Sequence, residues 1–444
     1  MRKSTLIVVV IAAALVGFVY WHEFARAPVE KSEANPAVFH FQPEEVASLT
    51  LARPSGTIVL ERKGTGWQIV QPIETRADKA AVNSLLDDVT LARASRTLTA
   101  SAGELKNFGL APPAVTMDFR LQNGQERQLK VGSADYSGNS AYAQAGGSKS
   151  VVLVPDSVLQ DGSKTLADLR DNSVLGISGD QVESFDLESP SGNIEAKRSG
   201  SVAADTWAID KPRQAAGDST AIATLLGDVT NGKIAKVVSE DAAGLSRYGL
   251  EHPTLAFDVH LKSGTERALD LGRKEGDQYY ARDSSRNMVF LVPASLEKQL
   301  DKSLFDLRDK QVLHGLPEDF TRVDYTAGSL QFSCGVDKSG QWTMFEPATD
   351  KGKKVANWKI FNPLSSATAN QILDSPPPAL LAEVARPAIQ IVLTRKAGGK
   401  ETFRFAKPAG KSVYLWVSDG SGLYRVGKDT YDSLVFKSPA DILR

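Results

Sequence analysis

Apolar and polar residues alternate from Val46 to Arg53 and again from Thr57 to Arg62, with Pro54-Ser55-Gly56 between them. A period of two sends successive side chains to opposite faces, so this stretch predicts a β-hairpin with one buried face. Gly64-Thr65-Gly66 turns into a third strand, Trp67 to Val70, which Pro72 ends. The period then changes. Val82, Leu85, Leu86, Val89 and Ala92 recur at spacings of three and four within Arg76 to Ala94 and predict a helix with one apolar stripe. Thr75 and Asp78 resemble a capping box at its start. A short helix through Leu105 and Phe108 should end at Gly109, a residue suited to a left-handed C′ position, with Pro113 beyond it. Four more short strands follow: Val115 to Leu121, Glu126 to Val131, Ser140 to Ala143 and Val151 to Val154. Asn123-Gly124 marks the first turn among them. A terminal helix runs through Leu166 and Leu169. Strand links this short exclude parallel crossovers, so the unit is α+β with an antiparallel sheet.

The unit is repeated. Trp67 with Pro72, Trp207 with Pro212 and Trp342 with Pro347 recur at intervals of 140 and 135 residues. Leu85-Leu86-Asp87-Asp88-Val89-Thr90 returns as Leu225-Leu226-Gly227-Asp228-Val229-Thr230, and Phe108-Gly109-Leu110 returns as Tyr248-Gly249-Leu250. Val131-Gly132 is matched by Leu271-Gly272, and Leu169-Arg170-Asp171 by Leu307-Arg308-Asp309. A third copy is degenerate. It keeps Trp342 and Pro347, Arg386-Pro387 before an alternating strand, and the ending Ala440-Asp441-Ile442-Leu443-Arg444. It lacks the aromatic-Gly-Leu triplet, and Pro376-Pro377-Pro378 should stop any helix there. A period near 135 residues is too long for a solenoid repeat and is itself the size of a small domain.

Ahead of the repeats, Leu6 to Trp21 carries no charge, follows Arg2 and Lys3, and closes on Tyr20 and Trp21. As a helix these residues would span about 24 Å, or about 27 Å with Ser4 and Thr5, slightly short of a hydrocarbon core of about 30 Å. The run reads as an uncleaved single-pass anchor with a cytoplasmic N-terminus, rather than as a cleaved signal peptide or a buried soluble helix. The expected organisation is therefore a tip and anchor over 1–24, a linker over 25–38, and repeats over 39–175, 176–313 and 314–444.

Composition narrows the function. Lys and Arg number 52 against 53 Asp and Glu, which argues against a dedicated nucleic-acid binder. The single cysteine, Cys334, excludes an internal disulfide and any cysteine-rich metal site. No nucleophile elbow occurs, and Ala409-Gly410-Lys411-Ser412 lacks the earlier glycine of a phosphate-binding loop, since position 405 is Phe405. His22, His40, His252, His260 and His314 show no ligand spacing beyond His252 and His260, which flank a strand eight residues apart and would not converge. The residues predict no catalytic, metal or cofactor site. Every repeated residue has a structural reading: Trp67, Trp207 and Trp342 as core rings, Asp78 and Asp218 as helix caps, and Gly109 and Gly249 as backbone devices. Arg170 and Arg308 read as partners in ion pairs. Trp358 and Trp416 escape the repeat. With Phe361 and Tyr414 they are the candidate partner-binding residues, an aromatic face for a protein or a glycan, the other reading being a replacement core.

The motifs resemble the bacterial domain-of-unknown-function family 4340. They are Gly66-Trp67-Gln68-Ile69-Val70-Gln71-Pro72, Ala77-Asp78, Phe108-Gly109-Leu110-Ala111-Pro112-Pro113 and Leu169-Arg170-Asp171, with a close second set. The resemblance covers residues 39–313 and extends weakly beyond. It implies a membrane-anchored envelope protein often encoded beside ABC exporters of the gliding-motility type, and it implies no catalytic residues. The expected function is a non-enzymatic accessory of an inner-membrane ABC permease or its auxiliary subunit, with a periplasmic body. The alternative is a module that binds envelope polysaccharide or peptidoglycan.

Overall fold

The computed structural model describes residues 35–200, 206–418, 420 and 422–444. The first module contains nine strands: β1 Val46–Arg53, β2 Gly56–Lys63, β3 Gly66–Gln71, β4 Thr75–Arg76, β5 Arg96–Thr99, β6 Val115–Leu121, β7 Glu126–Ala134, β8 Ser140–Ala145 and β9 Ser150–Pro155. They form one sheet in the order β4-β3-β2-β1-β6-β7-β8-β9-β5, and every pairing is antiparallel. The second module repeats that order with nine strands, from Val182–Ser189 to Val289–Pro293. The third has eight, from Phe320–Ala327 to Leu423–Gly427. A single bridge, Thr343 to Lys354, stands where the other modules place their short fourth strand. The modules are thus mostly sheet, with a few short helices each, and the predicted strands of the first are all present. The alternation missed β4 and β5, which are too short to show a period.

Each sheet is half-buried. In β1 the inward residues Leu49 and Leu51 are fully enclosed while the intervening positions are partly exposed. One helix, Lys79–Leu91, lays Val82, Leu85, Leu86 and Val89 on that inner face, all at 0 % exposure. Helix Ser219–Asn231 repeats this with Ile222, Leu225, Leu226 and Val229. Trp67 and Trp207 are buried in their cores, and Trp342 packs partly buried against the third. Beside the first two tryptophans, the guanidiniums of Arg62 and Arg198 lie 4.5 and 4.8 Å from the ring centres.

The helix starts follow from capping, with one correction. Asp78 is itself the N-cap, its Oδ1 accepting from the amide of Ala81 at 3.0 Å. Thr75 is not part of a capping box, because it is held in β4 opposite Ile69. Asp218 caps the second helix in the same way, accepting from Thr220 and Ala221. Gly109 has φ 66° as predicted, and its 3₁₀ turn crosses β7 closely. A Cβ on Gly132 would lie 2.1 Å from the Phe108 carbonyl oxygen, and one on Gly272 2.3 Å from that of Tyr248. The two repeated glycine positions therefore belong to one contact.

The prolines of the third copy do not stop a helix. Helix Pro378–Ala385 begins at them, with Pro378 at its first turn, where a missing N–H costs no hydrogen bond. It occupies the chain position of the missing triplet. Helix Trp358–Ser366 replaces the long helix of the other modules.

The boundaries also move. The chain divides into one unit ending at Asn172 and another from Ser173 to Arg444. Val174 and Leu175, expected at the end of the first repeat, lie in the core of the second. Val312 and Leu313, expected at the end of the second, lie in the core of the third. The cause is a recurring hydrogen bond. Val38, Val174 and Val312 donate their amides to Ala92, Gly232 and Ala367, just past each module's long helix. Each segment that enters a module is thereby stitched into it.

No helix among the described residues is long and apolar enough to cross a membrane. The expected anchor, Leu6 to Trp21, and most of the 25–38 linker lie outside the described residues.

Candidate functional site

The four aromatics singled out by the sequence do not share one surface. Phe361 is 1 % exposed and packs against Phe320 and Trp342 in the third core, with ring centres 5.5 and 5.4 Å apart. Tyr414 and Trp416 lie on the other face of their strand. There they cover a small cluster of Val384, Ala406 and Leu423 beneath helix Pro378–Ala385. The guanidinium of Arg404 lies 4.9 Å from the Trp416 ring centre. Trp358 alone is widely exposed, at 43 %, and the Arg444 guanidinium stacks 4.6 Å over it. Phe361 and the Tyr414–Trp416 pair therefore fill two separate clusters. The correction has a simple cause: at spacing three, Trp358 and Phe361 share a helix, but the inner side of that helix takes only Phe361.

The repeated polar residues close each module on itself, and within the second unit they also join the second module to the third. Each module closes on a capping box: Thr165 with Asp168, Ser303 with Asp306, and Ser438 with Asp441. Bonds from the Thr165 hydroxyl and amide hold the Asp168 carboxyl below its usual range. Burial pushes Asp306 up, but the bonds from Ser303 outweigh it and hold that carboxyl low as well. The signal is present in the sequence as Ser/Thr-x-x-Asp, where the first two matches stand just before the more conspicuous Leu-Arg-Asp. After each box the backbone bonds to the start of the long helix: Asp78, Asp218 and Ala356 donate their amides to Leu169, Leu307 and Ile442. Arg308 is buried and pairs at 2.8 Å with Asp374 of the third module, which also takes Arg213 at 2.8 Å. Asp171 pairs with Arg76 at 3.1 Å. The ion-pair reading thus holds for Arg308, although its partner is not the neighbouring Asp309, which bonds His314 at 2.7 Å.

A second group was invisible in the sequence. Asp283 and Arg286 form a buried ion pair at 2.9 Å on the loop Ser284–Met288 and its preceding strand. Nη2 of Arg286 also donates to the carbonyls of Ser173 and Val174, each at 2.7 Å. A spacing of three across a loop carries no pattern that announces burial.

The outer face of the second sheet carries a row of carboxylates. Asp186 faces Glu195 on one side and Asp258 on the other. Like charges directly opposite repel. Lys211 pairs with Glu195, Arg282 with Asp270 at 2.8 Å, and His260 contacts Asp186 at 3.4 Å and Glu266 at 3.3 Å. Burial, followed by the charges of Asp270, Asp186 and Glu188, pushes the Asp258 carboxyl up. His252 is exposed and takes no part in these contacts. Among the described residues, no three His, Cys, Asp or Glu side chains converge with the geometry of a metal site. Cys334 is fully enclosed in the third core, and burial pushes its thiol up to about 12, so it is not poised as a nucleophile.

Open clefts also lie on the described surface. One of about 670 Å³ lies on the outer face of the first module around Ser48, Thr50, Asp118 and Gln128. Two of about 840 and 910 Å³ meet at Trp207 in the second unit. The larger is bordered by Asp218, Arg308 and Asp309, all of them engaged in the caps and pairs described above.

Comparison with known proteins agrees with the motifs. The model of a family described as a domain of unknown function (DUF4340) matches residues 67–204 and 207–384. These segments cover most of the first module, the second, and the third as far as helix Pro378–Ala385. No curated protein matches the chain. A DNA polymerase sliding clamp from Pseudomonas aeruginosa is similar at 9 % identity over 88 % of this chain and 93 % of that one. Its TM-score of 0.16 carries no inference. With well over half of its length matched, and with the tryptophan, helix-cap and aromatic-Gly-Leu motifs all engaged in one repeated architecture, the chain belongs to the DUF4340 family.

Proposed function

We propose that this protein is a non-enzymatic accessory of an inner-membrane ABC transport system. Its N-terminal run tethers it to the membrane, and its modules meet the permease or an auxiliary subunit on the periplasmic side. The observation that carries this reading is where the repeated polar residues are spent. Asp78 and Asp218 cap helices, the three Ser/Thr-Asp boxes close modules, Arg62 and Arg198 stack on the core tryptophans, and Arg308 ties the second module to the third. Residues retained from copy to copy thus serve the architecture, which is the pattern of a scaffold. What remains for partners is the broad, partly exposed outer face of each sheet. The apolar run from Leu6 to Trp21 supports the tether.

The test is affinity purification of the tagged full chain from membranes solubilised in mild detergent. Permease subunits should come with it, and deletion should impair the transport those subunits perform. A chain that emerges alone, with transport unchanged by deletion, overturns the proposal. The glycan-binding alternative needs an exposed aromatic platform. Phe361 is enclosed in the core and Tyr414 and Trp416 lie in a separate cluster, so Trp358, 43 % exposed, is the aromatic on which that alternative would rest, and loss of glycan binding in Trp358→Ala would favour it.

A further inference from the structure

Helix Lys79–Leu91 ends on a leucine that is 67 % exposed. The repeats provide an internal comparison, because the long helices of the second and third modules end on Asn231 and Ser366. Only the first module places a large apolar side chain there. Two arginines follow it in the chain. Arg93 donates from Nη1 to the carbonyls of Leu91 and Ala92, at 3.1 and 3.3 Å, so its guanidinium is held at the helix end. Arg96, the first residue of β5, is exposed. Asp87 and Asp88 lie one turn further back along the helix.

The incoming chain passes through the same spot. Ala37 bridges Arg93, Val38 donates its amide to Ala92 at 3.2 Å, and Ala94 donates to Pro36 at 2.9 Å. The exposed leucine, Arg93 and the start of the described chain are therefore neighbours, and Arg96 follows three residues further on. Fourteen residue steps separate Trp21, the end of the apolar run, from Asn35. They reach at most about 50 Å when fully extended, and about 20 Å as a flexible coil. If Leu6 to Trp21 spans a bilayer, this end of the first module is held within reach of its surface. Interfacial leucine side chains gain by leaving water, and arginines extend their charge to anionic headgroups while their stems stay with the apolar phase.

We propose that the C-terminal end of helix Lys79–Leu91 is a membrane-contact tip. Leu91 enters the interfacial region of the bilayer, and Arg93 and Arg96 bind its anionic headgroups. This rests on the tether described above, and the test separates the two. The full chain carrying Leu91→Cys is labelled with an environment-sensitive dye and reconstituted into phosphatidylcholine vesicles containing phosphatidylglycerol. Cys334 is enclosed, so labelling goes to the introduced thiol. Asn231→Cys, at the equivalent position of the second module, is the matched control. The expected result is a blue-shifted emission at position 91, quenched by nitroxide lipids, with the control remaining water-like. The shift should weaken in pure phosphatidylcholine and in an Arg93→Gln/Arg96→Gln background. If the chain sediments with vesicles but position 91 behaves like position 231, the tip is refuted and the tether stands. If position 91 is blue-shifted in vesicles but nitroxide lipids do not quench it, the cover is protein and the tip is refuted. If the chain does not sediment with vesicles at all, tether and tip fall together.

Discussion

Replacing Arg286 tests how the second unit secures its first residues. The side chain is nearly enclosed, its Nε lies 2.9 Å from Asp283, and Nη2 holds the carbonyls of Ser173 and Val174 at 2.7 Å each. Its guanidinium also lies 5.4 Å from the ring centre of Phe290. Arg286→Ala leaves a carboxylate of 0 % exposure facing the space that the guanidinium filled, still bonded to the Ser285 amide and hydroxyl. Breaking a buried pair from one side costs about 3–5 kcal/mol, because the remaining charge is not rehydrated. Charge-assisted bonds to the two carbonyls are worth about 1.5–3 kcal/mol each, but they share the same desolvation and do not add to that figure. For a unit of this size, 1 kcal/mol moves the midpoint by about 2–4 °C, so the melting temperature of the second unit should fall by about 10 °C. Scanning calorimetry on the full chain reads it, with the transition of the first unit as reference. Arg286→Met with Asp283→Asn removes both charges and should be less harmful than Arg286→Met alone. A fall of under about 2 °C for Arg286→Ala would refute the reasoning, as would a double variant no better than the single one.

Further outcomes concern Thr165 and Cys334. Thr165→Ala should cost the first unit about 1 kcal/mol, the usual value of a lost N-cap. Because the Thr165 bonds hold Asp168 low, their contribution is full above the ordinary carboxylate value of about 3.9 and fades as pH falls through it. The variant should therefore lose less stability than the parent on acidification below about pH 4, as read by thermal melts across that range. Cys334, pushed up to about 12, should resist alkylation in the native chain and react at once in denaturant. The same shift makes the native state lose stability as pH rises above the ordinary thiol value of about 8.5, and Cys334→Ala should remove that part of the alkaline slope.

The strands and the long helices were legible because each buries a single face, and burying one face writes a period into the chain. Leu49 and Leu51 against their partly exposed neighbours, and Val82, Leu85, Leu86 and Val89 at spacings of three and four, are that writing. Asp78 and Asp218 were legible as caps because a helix start needs an acceptor next to its first free amides. Pro376 to Pro378 misled, because proline forbids a helix behind it but favours one ahead. The aromatic candidates misled for a related reason. Rarity within a repeat marks Trp358 and Phe361 as unusual, yet it does not say which side of the helix faces the core.

By itself, the sequence determined the repeat, its period, the alternating strands, the helix stripes and the glycines at the crossing turns. All of these are local or periodic constraints carried by neighbours in the chain. Only the tertiary structure decided where one module ends and the next begins. It also decided that Arg308 reaches Asp374 and that Arg286 closes over Ser173 and Val174. Those contacts join residues 66 to 113 positions apart, and their strength comes from burial, which no spacing along the chain records.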